Sequence, residues 1–168
     1  IAGYDLFIYI AEKINEEHGS VFFLGSSEET LQKIKERLSE EYPNINSSFY
    51  SPPFKSDFSD IESSKMCNEV NLFEPDILFV GMTAPKQEKW VQKYKDELRV
   101  KNICCVGAVF DFYAGNIKRS SPFWINLGLE WLPRFLKEPK RLFIRNFVST
   151  PKFILEVIFY KIFGKGFL

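Results

Sequence analysis

The sequence is poor in the residues that build metal sites and disulfide frameworks. Its 168 residues contain one histidine and three cysteines. His18 cannot form a ligand cluster by itself, and no Cys-x-x-Cys spacing occurs, so neither a zinc knuckle nor a dithiol redox motif is expected. Cys104 and Cys105 are adjacent in an apolar run. Neighbours in a strand face opposite ways, so they do not bridge each other. With Cys67 they read as buried thiols in a reducing cytosol. No Gly-x-Gly-x-x-Gly follows an apolar run, which argues against a dinucleotide oxidoreductase. No apolar run approaches the roughly 20 residues of a spanning helix. The opening residues 1–10 show no basic leader and no initiator Met, so the expectation is no signal peptide and a chain with residues upstream.

Net charge is zero, and that balance hides an asymmetry. Residues 1–117 carry 12 basic and 19 acidic side chains, whereas residues 118–168 carry 10 basic and 3 acidic. A basic end invites an anionic partner such as a phosphate or a lipid head group. Nucleic acid is a poor fit, because the basic stretch is interleaved with bulky aliphatics and carries no nucleic-acid motif. Aromatics are abundant at 17%, and most are Phe, which needs a place to be buried.

Residues 4–17 read as a helix, with Leu6, Ile10 and Ile14 on one face and His18-Gly19 as its stop. Residues 21–24 are a short continuous apolar run, and 76–80 and 102–106, opened by Asp76 and Asn102, are apolar beyond that first residue; each is followed by a glycine, Gly25, Gly81 or Gly107. Such runs suit strands buried on both faces. Helices are expected after Ser26-Ser27, over 61–73, and from Pro85 to about residue 98. A weaker strand is expected over 45–50, followed by a Ser-Pro-Pro loop. The fold class is therefore α/β, a Rossmann-like parallel sheet with helices on both faces. Ligands in such folds sit beyond the carboxyl ends of the strands. Beyond residue 118 the strands stop and helical segments rich in aromatics, Lys and Arg take over. The expected division is a core over 1–117 and a helical, basic and aromatic C-terminal appendage over 118–168.

Three constellations carry candidate chemistry. In residues 81–90, Gly81 allows a sharp turn and Pro85 suits a helix's first turn, whose free N–H groups attract anions. Gln87 there offers both a donor and an acceptor. An ordinary capped helix start is the competing reading. In residues 107–115, small residues allow a ligand near the backbone. Asp111, between Phe110 and Phe112, is either a partly buried carboxylate of altered acidity or a structural acceptor. In residues 128–145, Arg141 and Arg145 share a helical face and, with Arg134, can cluster on phosphate or simply form a solvated basic face.

These three runs, 81–90, 107–115 with Arg119, and 128–142, resemble the signature blocks of the WecG/TagA/CpsF glycosyltransferase family, in the same order. Ala2-Gly3-Tyr4-Asp5-Leu6 and residues 21–25 are similar to family positions too. Met82-Thr83 departs from the small residues common there. The resemblance implies a Rossmann-like enzyme moving an N-acetylmannosamine-type sugar from a UDP-sugar donor to a polyprenyl-diphosphate-linked acceptor, typically carrying N-acetylglucosamine. It implies products for teichoic acid, enterobacterial common antigen or capsule.

By resemblance, Gly25, Gly81, Thr83, Ala84, Pro85, Lys86, Gln87, Glu88, Gly107, Phe110 and Arg119 line the substrate site, and Arg134, Arg141 and Arg145 meet diphosphates. Gln87 and Asp111 are the catalytic candidates within the chain, while the family's suspected base lies on an Asp-Gly segment expected upstream of Ile1. No Asp-x-Asp pair is present to hold a metal on the donor, so no metal or other cofactor is expected, and arginines offset the diphosphate charge.

The apolar residues of 151–168, with Lys152, Lys161 and Lys165, suit a helix lying on an anionic membrane surface or packing on the core or on a second copy in a homo-oligomer. The expected location is cytoplasmic, peripheral at the inner face of the cell membrane. The alternative function is a non-catalytic, membrane-associated nucleotide-sugar-binding module.

Overall fold

The computed structural model describes residues 3–118, 124, 132, 135 and 150–164. The chain divides into two compact units, Ile1–Lys118 and Arg119–Leu168. The first unit alternates helix and strand: α1 (Gly3–Glu16), β1 (Ser20–Gly25), α2 (Glu28–Glu41), β2 (Asn46–Tyr50), α3 (Asp60–Phe73), β3 (Ile77–Gly81), α4 (Lys86–Tyr94), β4 (Asn102–Cys105) and α5 (Val109–Tyr113). In the second unit, α6 covers Thr150–Phe163.

The four strands form one parallel sheet in the order β2-β1-β3-β4. Successive strand residues point to opposite faces, and each face has its own core. Val21, Phe23, Ile77 and Phe79 meet Phe7 and Ile14 of α1, Leu31, Ile34 and Leu38 of α2, and Val109, Phe110 and Tyr113 of α5. Phe22, Leu24, Leu78 and Val80 meet Met66, Cys67 and Val70 of α3, and Trp90 and Tyr94 of α4. Much of the phenylalanine excess is placed here, with Phe7, Phe22, Phe23, Phe79 and Phe110 buried. The expected Rossmann-like α/β arrangement, with helices on both faces, is what the first unit contains.

Local signals set the boundaries. His18 takes a left-handed φ of 53°, and Gly19 N–H returns to the Ile14 carbonyl, which ends α1. Ser27 caps α2 by accepting the Thr30 N–H. Ser59 and Glu62 form a reciprocal capping box at α3. The helix expected from Pro85 to about residue 98 begins at Lys86 and tightens into a 3-10 turn over Lys95–Glu97.

No element is expected from the sequence over 107–115, where Val109–Tyr113 form a short helix. One expectation is corrected: the thiols were expected to be buried. Cys67 is buried, but Cys104 is only half-buried and Cys105 is exposed. The reason is topological: among the described strands β4 lies at the edge of the sheet, with β3 as its one neighbour.

Candidate functional site at the carboxyl edge of the sheet

The strand order creates a switch point. β1 and β3 are neighbours, with Leu24 paired to Val80 and Gly25 to Gly81. The chain leaves β1 for α2 on one face and leaves β3 for α4 on the other. Connections that diverge in this way open a crevice beyond the carboxyl ends of the two strands. The segments that follow the carboxyl ends of the four strands are 25–27, 51–59, 82–85 and 106–108.

The glycines at its base serve internal close packing. Gly25 has φ +120°, and a Cβ there would lie 2.5 Å from the Gly81 carbonyl oxygen. A Cβ on Gly81 would lie 2.3 Å from the Phe110 ring. At Gly25 and Gly81 the close neighbours are the chain's own carbonyl and ring. Ser26 N–H donates to the Gly81 carbonyl at 3.0 Å, which fastens the two strand exits together. Gly107, at φ +53°, lies 3.7 Å from the Gln87 amide by the position its Cβ would take. The 81–90 and 107–115 runs, distant in sequence, thus meet at one place.

Gln87 is 5% exposed, and both ends of its amide are engaged. Its Oε1 accepts the Met82 N–H at 3.2 Å, and its Nε2 donates to Glu88 Oε1 at 2.8 Å. The side chain therefore closes the 82–87 turn. Thr83, Ala84, Pro85 and Glu88 are exposed, and Lys86 is half-buried. Pro85 caps α4 and follows a cis peptide bond. The first-turn N–H groups expected to be free are partly spent, because Lys86 and Gln87 both donate to the Thr83 carbonyl, at 2.9 and 3.4 Å.

Asp111 is half-buried on α5, and its Oδ1 accepts from Asn116 Nδ2 at 3.4 Å. Asn116 also donates to Thr30 Oγ1 at 2.9 Å and accepts from Lys33. This network ties the exit of α5 to α2, and here Asp111 acts as a structural acceptor. Phe110 is buried against Gly81. Arg119, Arg134, Arg141 and Arg145 lie outside the described residues.

Sequence reasoning missed the 51–59 segment, of which only Ser51-Pro52-Pro53 was read, as a loop. Ser51 Oγ donates to the Ser26 carbonyl at 2.8 Å, and Lys86 Nζ donates to the Lys55 carbonyl at 2.8 Å. Its position directly after a strand was the available signal. Among the described residues, no cluster of three or more His, Cys, Asp or Glu comes together.

In the second unit, α6 exposes Phe153, Ile154, Leu155, Val157, Ile158, Phe159 and Tyr160, so apolar surface appears on every side. No helix among the described residues is long and apolar enough to cross a membrane.

Comparison with known proteins gives this geometry a family. A protein from Bacillus spizizenii described as N-acetylglucosaminyldiphosphoundecaprenol N-acetyl-beta-D-mannosaminyltransferase is 31% identical over 158 residues. Proteins of the same description from Bacillus subtilis and Staphylococcus aureus are 30% and 29% identical. Each match covers 94% of this chain, which spans 59% of the length of each relative. The family model for glycosyl transferases of the WecG/TagA/CpsF type matches residues 1–166. The chain belongs to the WecG/TagA/CpsF glycosyltransferase family.

Proposed function

We propose that the protein containing this chain transfers an N-acetylmannosamine-type sugar from a UDP-sugar to a polyprenyl-diphosphate-linked N-acetylglucosamine acceptor, for a cell-surface polysaccharide or teichoic acid. The acceptor and the transferred sugar are those in the names of the relatives from Bacillus and Staphylococcus. The observation that carries the reading is the meeting of two signature runs, through Gln87 and Gly107, beside the β1/β3 switch point.

In this reading the crevice holds the donor. Thr83, Ala84 and Pro85 border it, and Glu88 and Lys86 stand at its rim. Gln87 fixes the turn, and Asp111 fixes α5 through Asn116. Gly25, Gly81 and Phe110 form the packed base. Departure of UDP develops negative charge, which Arg119, Arg134, Arg141 and Arg145 of the basic appendage offset. Deprotonation of the acceptor hydroxyl needs a carboxylate base.

Membrane association follows from the same reading. The polyprenyl acceptor resides in a bilayer, and α6 presents an apolar surface with Lys152 and Lys161 for an anionic one. The protein then works as a peripheral enzyme at the cytoplasmic face. The experiment is a transfer assay on the full-length protein with UDP-N-acetylmannosamine and a lipid-linked N-acetylglucosamine acceptor. Donor-dependent growth of the acceptor by one sugar supports the reading, and binding without transfer leaves the binding-module alternative.

A further inference from the structure

The 51–59 segment is braced at its start, middle and end. Ser51 is bonded to Ser26 and the Lys55 carbonyl to Lys86, and Ser59 enters the α3 capping box. The Lys55 ammonium turns away to pair with Glu62 at 2.5 Å. On this tied segment the Phe54 ring is fully exposed, at 101%. Lys86 Nζ lies 4.6 Å from the Phe58 ring centre and 6.0 Å from that of Phe54. Among the described residues no carboxylate pairs with the Lys86 ammonium.

The rim of the crevice therefore offers a bare aromatic face and a cation at fixed spacing, both on supported backbone. A nucleoside diphosphate presents the complementary pair, a flat base and a phosphate joined through one ribose. We propose that Phe54 and Lys86 form a two-part grip on the donor nucleotide, with the base stacked on Phe54 and the Lys86 ammonium on a phosphate. This rests on the donor reading above. Base stacking on an aromatic side chain is strong and tolerant of base identity. An ammonium held, among the described residues, by a carbonyl and two rings gains a charge-assisted bond when phosphate arrives. A phospholipid also brings a phosphate, but its flexible chains are not flat, so the ring favours a base, and the vesicle arm of the test separates the two sources.

The test is calorimetric titration of the full-length protein with UDP, UMP and inorganic diphosphate, with phosphatidylglycerol vesicles as a separate arm. Phe54→Ala removes an exposed ring and is expected to keep the fold, checked by circular dichroism. It should weaken UDP and UMP by about tenfold or more and leave diphosphate unchanged, while Phe54→Trp retains UDP. Lys86→Met should weaken UDP and diphosphate alike, most at low salt. Wild-type affinity for UDP in Phe54→Ala overturns the grip and leaves the donor reading standing. Loss of vesicle binding with UDP affinity intact makes the ring a lipid contact, which also overturns it. Failure of the unmodified protein to bind UDP removes both the donor reading and the grip.

Discussion

The Tyr113 hydroxyl donates to Glu41 Oε2 at 3.0 Å while the Arg37 guanidinium lies 4.5 Å over the same ring. Arg37 also donates to the Tyr113 carbonyl and pairs with Glu41. Tyr113 is fully buried, and its ring packs 4.8 Å from Phe7. Burial, with the Glu41 carboxylate second, drives its hydroxyl well above the usual phenol range, so it remains a donor. This one side chain locks α5 onto α1 and α2, and α5 carries Phe110 to its packing against Gly81. Tyr113→Phe should cost about 1 kcal/mol and Tyr113→Ala roughly 3–5 kcal/mol, read from urea unfolding.

The glycine floor gives a second expectation. Gly81→Ala drives a methyl into the buried Phe110 ring, costing roughly 1–3 kcal/mol as an overpacked core does. Combining it with Phe110→Leu should recover part of that loss, because the two changes share one contact. Simple additivity of the two losses in thermal unfolding would show that the ring can move aside.

Gln87 is placed to hold a turn. Gln87→Leu leaves the buried Met82 N–H without its acceptor, at a cost of about 1–3 kcal/mol. Gln87→Glu keeps the acceptor but sets a second carboxylate beside Glu88. It should therefore unfold earlier at neutral pH than at acidic pH relative to the unmodified protein, as thermal scans across pH would show.

Acid sensitivity should come from the opposite end of the sheet. Asp76 accepts from the Ser20 N–H and hydroxyl and pairs with Lys101 at 2.6 Å. Lys101, with Ser20 second, holds the carboxyl down to about 2, below its ordinary 3.8. A lowered folded value means the stabilisation is fully present above the unfolded value. It is lost as pH falls from about 4 towards 2. Asp76→Asn should remove on the order of 1–2 kcal/mol at pH 7, discounted for the exposed lysine, and flatten the acid limb between those values.

Periodicity and punctuation located every helix and strand of the first unit except α5. The missed helix has five residues, too few to display a period, and its Phe-Asp-Phe-Tyr run was read only for the Asp111 carboxylate. Burial at Val109, Phe110 and Tyr113 is a helical spacing visible only once the neighbours are known. Cys105 was misjudged because strand order is a tertiary property, and an apolar run does not reveal that it will lie at an edge. The roles of Gly25 and Gly81 were legible as a need for smallness. What approaches them was not, since Phe110 lies far along the chain. The Lys86 bridge to 51–59 was invisible for the same reason. For the appendage arginines only the sequence speaks.

The central claim is sugar transfer, and the most direct measurement is mass spectrometry of a polyprenyl-diphosphate-linked N-acetylglucosamine acceptor incubated with the full-length protein and UDP-N-acetylmannosamine. The account predicts an acceptor heavier by one N-acetylhexosamine, with release of UDP, and loss of that product when the donor is omitted. An unchanged acceptor in the presence of bound donor would contradict it.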